Sequence, residues 1–143
     1  MGMTIAEKII AAAAGVPEVK PGDIVTVNVD RVMIHDIFIP FVKEKFEEMG
    51  FTKIWDPDKA VLIYDHLVPA SQVDDTRHFR IGNEFVEKYG MKNIHRSDGI
   101  CHQLMTEAGY VKPGDIAFGT DSHTTTYGCV GAFSSGIGYT EMA

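Results

Sequence analysis

Residues 60–64, Ala60-Val61-Leu62-Ile63-Tyr64, form the stretch of sequence that decides the fold. Five apolar residues without a polar interruption are typical of a strand that is covered on both faces, as strands of parallel sheets are. Asp65-His66 follows directly, and then a capped, amphipathic helix is predicted from Ser71 to Gly90. The stretch therefore predicts a buried parallel strand in a sheet that is packed between helices.

Helices and strands alternate along the rest of the chain. Thr4-Ile5-Ala6-Glu7 has the pattern of a capping box and Gly15 supplies a stop, so a helix is predicted over residues 5–14. Further helices are predicted from Pro40 to Gly50, over residues 101–107 and as an opening turn in 136–143, and further strands over 24–29, 32–34, around Ile94 and over 116–119. This alternation predicts a three-layer α/β/α fold with a mostly parallel sheet.

The hexapeptide Val-Lys-Pro-Gly-Asp-Ile occurs twice, at residues 19–24 and 111–116. The repeat is consistent with an internal duplication or with one turn that is used twice before a strand. The sequences around the two copies do not resemble each other, which favours the repeated turn.

Composition excludes several classes of protein. The chain has 143 residues, 45% of them hydrophobic, and a formal net charge of −7, which argues against a nucleic-acid surface. No apolar run approaches the roughly 20 residues that a membrane helix needs, and residues 9–14 are interpreted as part of a helix and not as a signal peptide. Cys101 and Cys129 form no C-x-x-C and indicate no disulfide framework, which favours a cytoplasmic setting.

Histidine and aspartate residues follow three of the predicted strands. The groups are His35-Asp36, Asp65-His66 and Asp121-Ser122-His123, and His102 lies at the start of a predicted helix. In open α/β sheets, ligands bind beyond the carboxyl ends of the strands. We therefore expect these side chains to face one shared cavity at that edge.

Such pairs can perform more than one kind of chemistry. An aspartate fixes the tautomer of a bonded imidazole, and the pair can then move a proton at a leaving hydroxyl. The same residues suit a metallohydrolase, and any single pair is also consistent with a helix cap. The glycine-rich residues 128–138 lack the Gly-Lys-[Ser/Thr] element of a phosphate loop, which favours close backbone packing.

Four ordered motifs resemble those of the aconitase superfamily. Gly119-Thr120-Asp121-Ser122-His123-Thr124 resembles its G-[ST]-D-S-H-T signature, and residues 99–103 resemble its G-[IV]-x-H-Q element. Asp65-His66 matches its D-H pair, and residues 32–36 match its first active-site segment. The resemblance extends from about Thr4 to Ala143 and implies an incomplete aconitase-type domain 1. Residues 1–143 are then expected to be the N-terminal part of a large-subunit catalytic region.

The resemblance implies a role for each catalytic candidate. Asp65 and His66 would assist departure of the substrate hydroxyl. His102 and Asp121 would form a second dyad, and His123 would lie at the substrate and the cofactor of the complete protein.

The resemblance also implies which residues contact the substrate. His35, Asp36 and Ser122 would do so, and His35 favours the 3-isopropylmalate dehydratase/homoaconitase branch because citrate aconitases carry Gln there. That branch usually has small or hydroxyl residues after His-Asp. The bulky residues 37–40 in this chain therefore suggest another alkylated malate as an alternative substrate.

The resemblance implies a [4Fe–4S] hydro-lyase of the kind used in leucine biosynthesis, with homoaconitase, citrate aconitase or a dimethylmalate-type dehydratase as alternatives. The cluster would be held by three cysteines outside this chain, since Cys101 and Cys129 do not match them, so no metal ligand is expected here. The implied partners are an alkylmalate, a separate small subunit and the rest of the large subunit, without which no turnover is expected. A metallohydrolase and a non-catalytic binding module remain open.

Overall fold

A five-stranded parallel sheet forms the centre of the computed structural model, which describes residues 2–143. Its strands are β1 (Arg31–His35), β2 (Ala60–Ile63), β3 (Asn93–His95), β4 (Ile116–Gly119) and β5 (Phe133–Gly136), in the spatial order β3-β2-β1-β4-β5. Every neighbouring pair is parallel, so all five carboxyl ends lie at one edge. This confirms the predicted α/β class.

The helices agree closely with the predicted ones. They are α1 (Ile5–Ala14), α2 (Ile39–Glu48), α3 (Val73–Tyr89), α4 (Cys101–Glu107) and α5 (Tyr139–Met142), together with a 3-10 helix at Ser122–Val130. The capping box of α1 is present, since the amide of Glu7 donates to the Thr4 hydroxyl over 3.2 Å and the amide of Thr4 donates to the Glu7 carboxylate over 2.6 Å. Within residues 2–143, no helix combines the length and the apolar character that crossing a bilayer requires.

The two faces of β2 explain why its sequence is uninterruptedly apolar. Leu62 packs with residues of α2 and α3 on one face, whereas Val61 and Ile63 pack with residues of α4 and the 3-10 helix on the other. All three side chains are fully buried. Burial of each such side chain contributes about 1.5–3 kcal/mol, so both helix layers are held firmly to the sheet.

One expected strand is absent from the sheet, and one strand of the sheet was not predicted. Residues 24–29 pair with no strand of the described sheet, and Ile24 is 99% exposed, so an apolar pattern alone did not provide a pairing partner. Conversely, β5 was not predicted, because Phe133-Ser134-Ser135-Gly136 has little strand propensity of its own. It forms because its backbone pairs with the buried strand β4.

The strand order determines where a ligand can enter. The chain builds β1, β2 and β3 toward one side and then crosses to place β4 and β5 on the other side of β1. Loops that leave β1 and β4 therefore diverge, and the crevice between them is the usual binding position in folds of this kind.

Candidate active site

A cavity of about 240 Å³ lies at the carboxyl edge of the sheet. It is lined by Asp65, His66, Ile100, Cys101, His102, Asp121 and His123. These residues come from the loops after β2 and β4 and from the start of α4. The structure thus brings all five predicted catalytic side chains to one place.

Asp65 and His66 form a tightly bonded pair at the end of β2. Nδ1 of His66 lies 2.6 Å from one carboxylate oxygen of Asp65, and the other oxygen accepts the amide of Cys101 over 2.6 Å. Asp65 is thereby fixed against the first turn of α4. Because His66 Nδ1–H donates to Asp65, its Nε2 is the atom that remains available for proton transfer.

His102, Asp121 and His123 form a second group at the end of β4. Oδ1 of Asp121 accepts from Nε2 of His102 over 2.8 Å and from the backbone amide of His123 over 2.7 Å. Burial raises the pKa of Asp121, but these two hydrogen bonds outweigh burial and lower it below its usual value. Asp121 is therefore a stable anion at neutral pH.

Ser122 and His123 reach furthest toward solvent. The His123 side chain is 80% exposed, with Nδ1 3.2 Å from Asp121 Oδ1 and 3.4 Å from the Ser122 hydroxyl. Close backbone packing supports this turn, since a Cβ on Gly136 would lie 2.5 Å from the carbonyl oxygen of Asp121. Because residue 136 is glycine, the turn at Asp121 packs directly against the backbone of β5.

Asp36 is fully buried, and its carboxylate is occupied by backbone groups. It accepts the amides of Ile37, His66 and Leu67 over 3.0, 3.3 and 2.8 Å. Burial raises its pKa, but the His35 imidazole, whose Nδ1 lies 3.8 Å from Oδ1 and so is near without forming a hydrogen bond, and the amides of Leu67 and His66 outweigh that effect and lower it. Asp36 therefore ties the loop after β1 to the loop that carries His66. Its predicted contact with substrate stays a prediction.

His35 lies beneath His66 and is 1% exposed. The two imidazoles stack with centroids 4.2 Å apart, and the Phe38 ring meets His35 edge-on at 5.0 Å. Neither ring nitrogen of His35 has a hydrogen-bond partner within residues 2–143. Buried polar atoms are normally paired, so His35 is equipped to bind a further polar group, and its predicted role in substrate binding stays a prediction.

Sequence reasoning did not find two residues that contact the site. Tyr127 is fully buried, with its hydroxyl 3.3 Å from Nδ1 of His102. His78 of α3 places Nδ1 3.0 Å from the carbonyl oxygen of Asp36. A tyrosine in the apolar layer and a histidine on a helix give no sequence signal of these contacts, which only tertiary packing creates.

The cysteines do not fit an iron–sulfur cluster. Cys101 is buried and Cys129 is exposed, and both are free thiols. Burial and a hydrogen bond with Asp65 raise the pKa of the Cys101 thiol, which disfavours the thiolate that a cluster requires. Two cysteines also fall short of the three or four that hold such clusters.

Nitrogen, oxygen and sulfur donors nevertheless crowd this edge of the sheet. Three overlapping sets have ligand atoms within 4.8 Å of one another and are able to hold a metal ion: His35 with His66 and Asp121, Asp65 with His66 and Cys101, and His102 with Asp121 and His123.

Residues 7–143 match the model of the Aconitase family (aconitate hydratase). The chain belongs to the aconitase family. It is 46% identical to 3-isopropylmalate dehydratase large subunit 1 of Methanopyrus kandleri and 45% identical to the 3-isopropylmalate dehydratase large subunit of a Sulfurihydrogenibium species, with all of this chain covered in both. It is 42% identical over 99% of its length to the "Probable methanogen homoaconitase large subunit" of Methanothermobacter thermautotrophicus. The chain spans 34% of the length of each of these relatives.

The family and these relatives confirm the resemblance that the four motifs indicated. A [4Fe–4S] cluster is the general cofactor of this family.

Proposed function

We propose that this chain supplies proton-transfer residues of a hydro-lyase that acts on a 2- or 3-substituted malate, with 3-isopropylmalate as the first candidate. The observation that carries the proposal is the convergence of the Asp65–His66 pair and the His102–Asp121–His123 group on one cavity. The names of the relatives support the choice of substrate. Homocitrate-type substrates are the alternative, supported by the name of the methanogen relative.

The Asp65–His66 pair fits one half of a reversible dehydration, the departure of the hydroxyl. The imidazolium form of His66, held at Nδ1 by Asp65, would give its Nε2 proton to the departing hydroxyl, so that the C–O bond breaks, water leaves and the ring becomes the neutral Nδ1–H tautomer. The proton on the neighbouring carbon would go to a base that lies outside this chain. Rehydration of the alkene reverses these steps at the adjacent carbon and completes the isomerisation.

His123, the exposed imidazole of the cavity lining, would contact the substrate, and the neighbouring Ser122 hydroxyl, 3.4 Å from its Nδ1, would do so with it. Asp121 holds His123 by its backbone amide and lies within reach of its ring, so the imidazole stays in place when substrate arrives. His35 would add a polar contact from below, where its nitrogens make no bond within the described residues.

The cofactor and the partners belong to the complete protein. We place the cluster cysteines in the rest of the large subunit, because Cys101 and Cys129 do not suit the role. A separate small subunit is the further partner that we propose, and leucine biosynthesis is the pathway. Free cysteines favour a cytoplasmic location.

The test uses the complete large subunit together with its small subunit. Formation of the alkene from 3-isopropylmalate, homocitrate and citrate is followed by ultraviolet absorbance in the wild type and in the variants Asp65→Asn and His66→Asn. Loss of a general acid lowers kcat by about 10²- to 10⁴-fold. Asp98→Asn is the matched control, since Asp98 also bonds a histidine, His95, over 2.8 Å but does not line the cavity.

Two results would contradict the proposal. Unchanged turnover in both site variants would indicate a non-catalytic module. Stoichiometric zinc or manganese with hydrolytic activity would indicate the metallohydrolase that the same donor atoms permit.

A further inference from the structure

Tyr127 is a buried residue whose hydroxyl contacts the second dyad, His102 and Asp121, at the His102 imidazole. It is fully buried among apolar residues that include Met33, Cys101 and Met105. Its hydroxyl makes one hydrogen bond within residues 2–143, to Nδ1 of His102. A buried hydroxyl that loses its partner is destabilising, so this contact fixes both the tyrosine and the imidazole.

The direction of this hydrogen bond follows from what each group can donate. Burial raises the pKa of the Tyr127 hydroxyl above its usual value, so the group keeps its proton. That O–H has no acceptor within the described residues other than His102 Nδ1, whereas His102 Nε2 faces the Asp121 carboxylate at 2.8 Å. Each polar atom of the three side chains in these contacts has a partner when the Tyr127 hydroxyl donates to Nδ1 of His102 and Nε2–H of His102 donates to the Asp121 carboxylate.

We propose that Tyr127 is a positioning residue that holds His102 as the Nε2–H tautomer with its ring aligned on Asp121. Through Asp121, the same alignment holds His123, whose amide bonds to the same carboxylate oxygen over 2.7 Å. The inference rests on the proposed function for its effect on turnover. Its effect on the tautomer does not depend on the substrate.

The chain contains a matched Asp–His–Tyr set away from the cavity. His95 bonds to Asp98 over 2.8 Å through Nδ1 and to the Tyr110 hydroxyl over 2.9 Å through Nε2. His95, Asp98 and Tyr110 do not line the candidate active site. Tyr110→Phe therefore removes the same kind of hydrogen bond at a place where the inference predicts no catalytic effect.

The experiment combines spectroscopy and kinetics on the complete protein with its small subunit. The protein is labelled with ¹⁵N-histidine, and the His102 signals are assigned by their loss in His102→Gln. In the wild type we expect a protonated Nε2 and an unprotonated, hydrogen-bonded Nδ1. In Tyr127→Phe the Nδ1 signal shifts toward that of a free nitrogen, whereas Tyr110→Phe leaves it in place.

Kinetics test whether Tyr127 acts through His102. We expect Tyr127→Phe to lower kcat about tenfold, which corresponds to about 1.4 kcal/mol, with KM within about twofold. In the His102→Gln background the same change has no further effect, because the residue through which Tyr127 acts is gone. Phenylalanine keeps the packed ring, and the melting temperature checks that each variant is folded.

Three outcomes would overturn the inference. They are a wild-type His102 with its proton on Nδ1, an unchanged kcat in Tyr127→Phe, and a full tenfold loss that persists in the His102→Gln background. Absence of turnover in the wild type with all three substrates would instead refute the proposed function, and the tautomer measurement would still decide the role of Tyr127.

Discussion

Replacement of Asp36 by asparagine tests whether a buried carboxylate holds the loop that carries His66. The substitution keeps the size of the side chain but removes its charge. One of the two oxygen acceptors becomes an NH₂ donor, which then faces backbone N–H groups. The amides affected are those of Ile37, His66 and Leu67, at 3.0, 3.3 and 2.8 Å.

The expected cost follows from these three hydrogen bonds. A hydrogen bond to a charged group contributes about 1.5–3 kcal/mol and one between neutral groups about 0.5–1.5 kcal/mol. A loss of about 1 kcal/mol for each amide gives about 3 kcal/mol for the opening of this loop. Since each 1.4 kcal/mol is a factor of ten, protection of the His66 and Leu67 amides from hydrogen exchange should fall about a hundredfold.

The effect also has a defined pH dependence. The pKa of Asp36 is lowered in the folded protein, so its charge contributes stability above the unfolded value of about 3.9. That contribution is lost as the pH falls through the lowered folded pKa. The difference between wild type and variant should therefore be full at pH 7 and should shrink progressively below about pH 4.

The assay is hydrogen exchange followed by mass spectrometry on the complete subunit, and the measured quantity is the protection of the peptide that contains residues 60–70. Asp23→Asn is the control, because Asp23 lies in an exposed turn and bonds only the amide of Lys20, over 3.0 Å. Equal protection of this peptide in wild type and Asp36→Asn at pH 7 would refute the reasoning. So would a difference that stays constant down to pH 3.

Two further predictions concern the turn after β4 and the cysteines. Gly136→Ala places a Cβ 2.5 Å from the carbonyl oxygen of Asp121, so it should displace that turn and lower kcat more than tenfold. Gly128→Ala is the control and should leave kcat unchanged, because no heavy atom lies within 4 Å of its new Cβ. Equal rates in the two variants would contradict this packing. Iodoacetamide should label the exposed Cys129 and leave Cys101 unmodified in the folded protein, because burial raises the pKa of the Cys101 thiol and shields it from the reagent. Mass spectrometry of tryptic peptides measures the labelling of each cysteine. Labelling of Cys101 at the same rate as Cys129 would show that the start of α4 opens to solvent.

Local sequence signals predicted most of the elements but could not predict how strands are paired. The hexapeptide at residues 19–24 and 111–116 forms the same turn twice, with an aspartate oxygen accepting a lysine amide over 3.0 Å and 2.8 Å. Only the second copy leads into a strand of the sheet, because β4 lies between β1 and β5. Residues 24–29 have no such neighbours in the described sheet, and the expected strand does not form there.

The position of the candidate site was predictable from the alternation of strands and helices. Polar residues at the carboxyl ends of parallel strands must meet at one edge, so the convergence of Asp65, His66, Asp121 and His123 followed from the order of elements. The burial of Asp36 and its bonds to three amides depend on how two loops pack against each other. No pattern in the sequence carries that information.

Because all five strands are parallel, the loops that lead into them and the loops that leave them lie at opposite edges of the sheet. We expect the two edges to differ in how well they tolerate chemical attachment. Loops that lead into the strands, such as the exposed segment around Lys53 before β2, lie roughly one strand length from the cavity, about 13 Å for four residues. A fluorescent reporter or an affinity handle attached at Lys53 should leave catalysis intact. The same attachment beyond His35, Ile63 or Gly119 should lower the rate, because it would obstruct the cavity at the carboxyl ends of the strands.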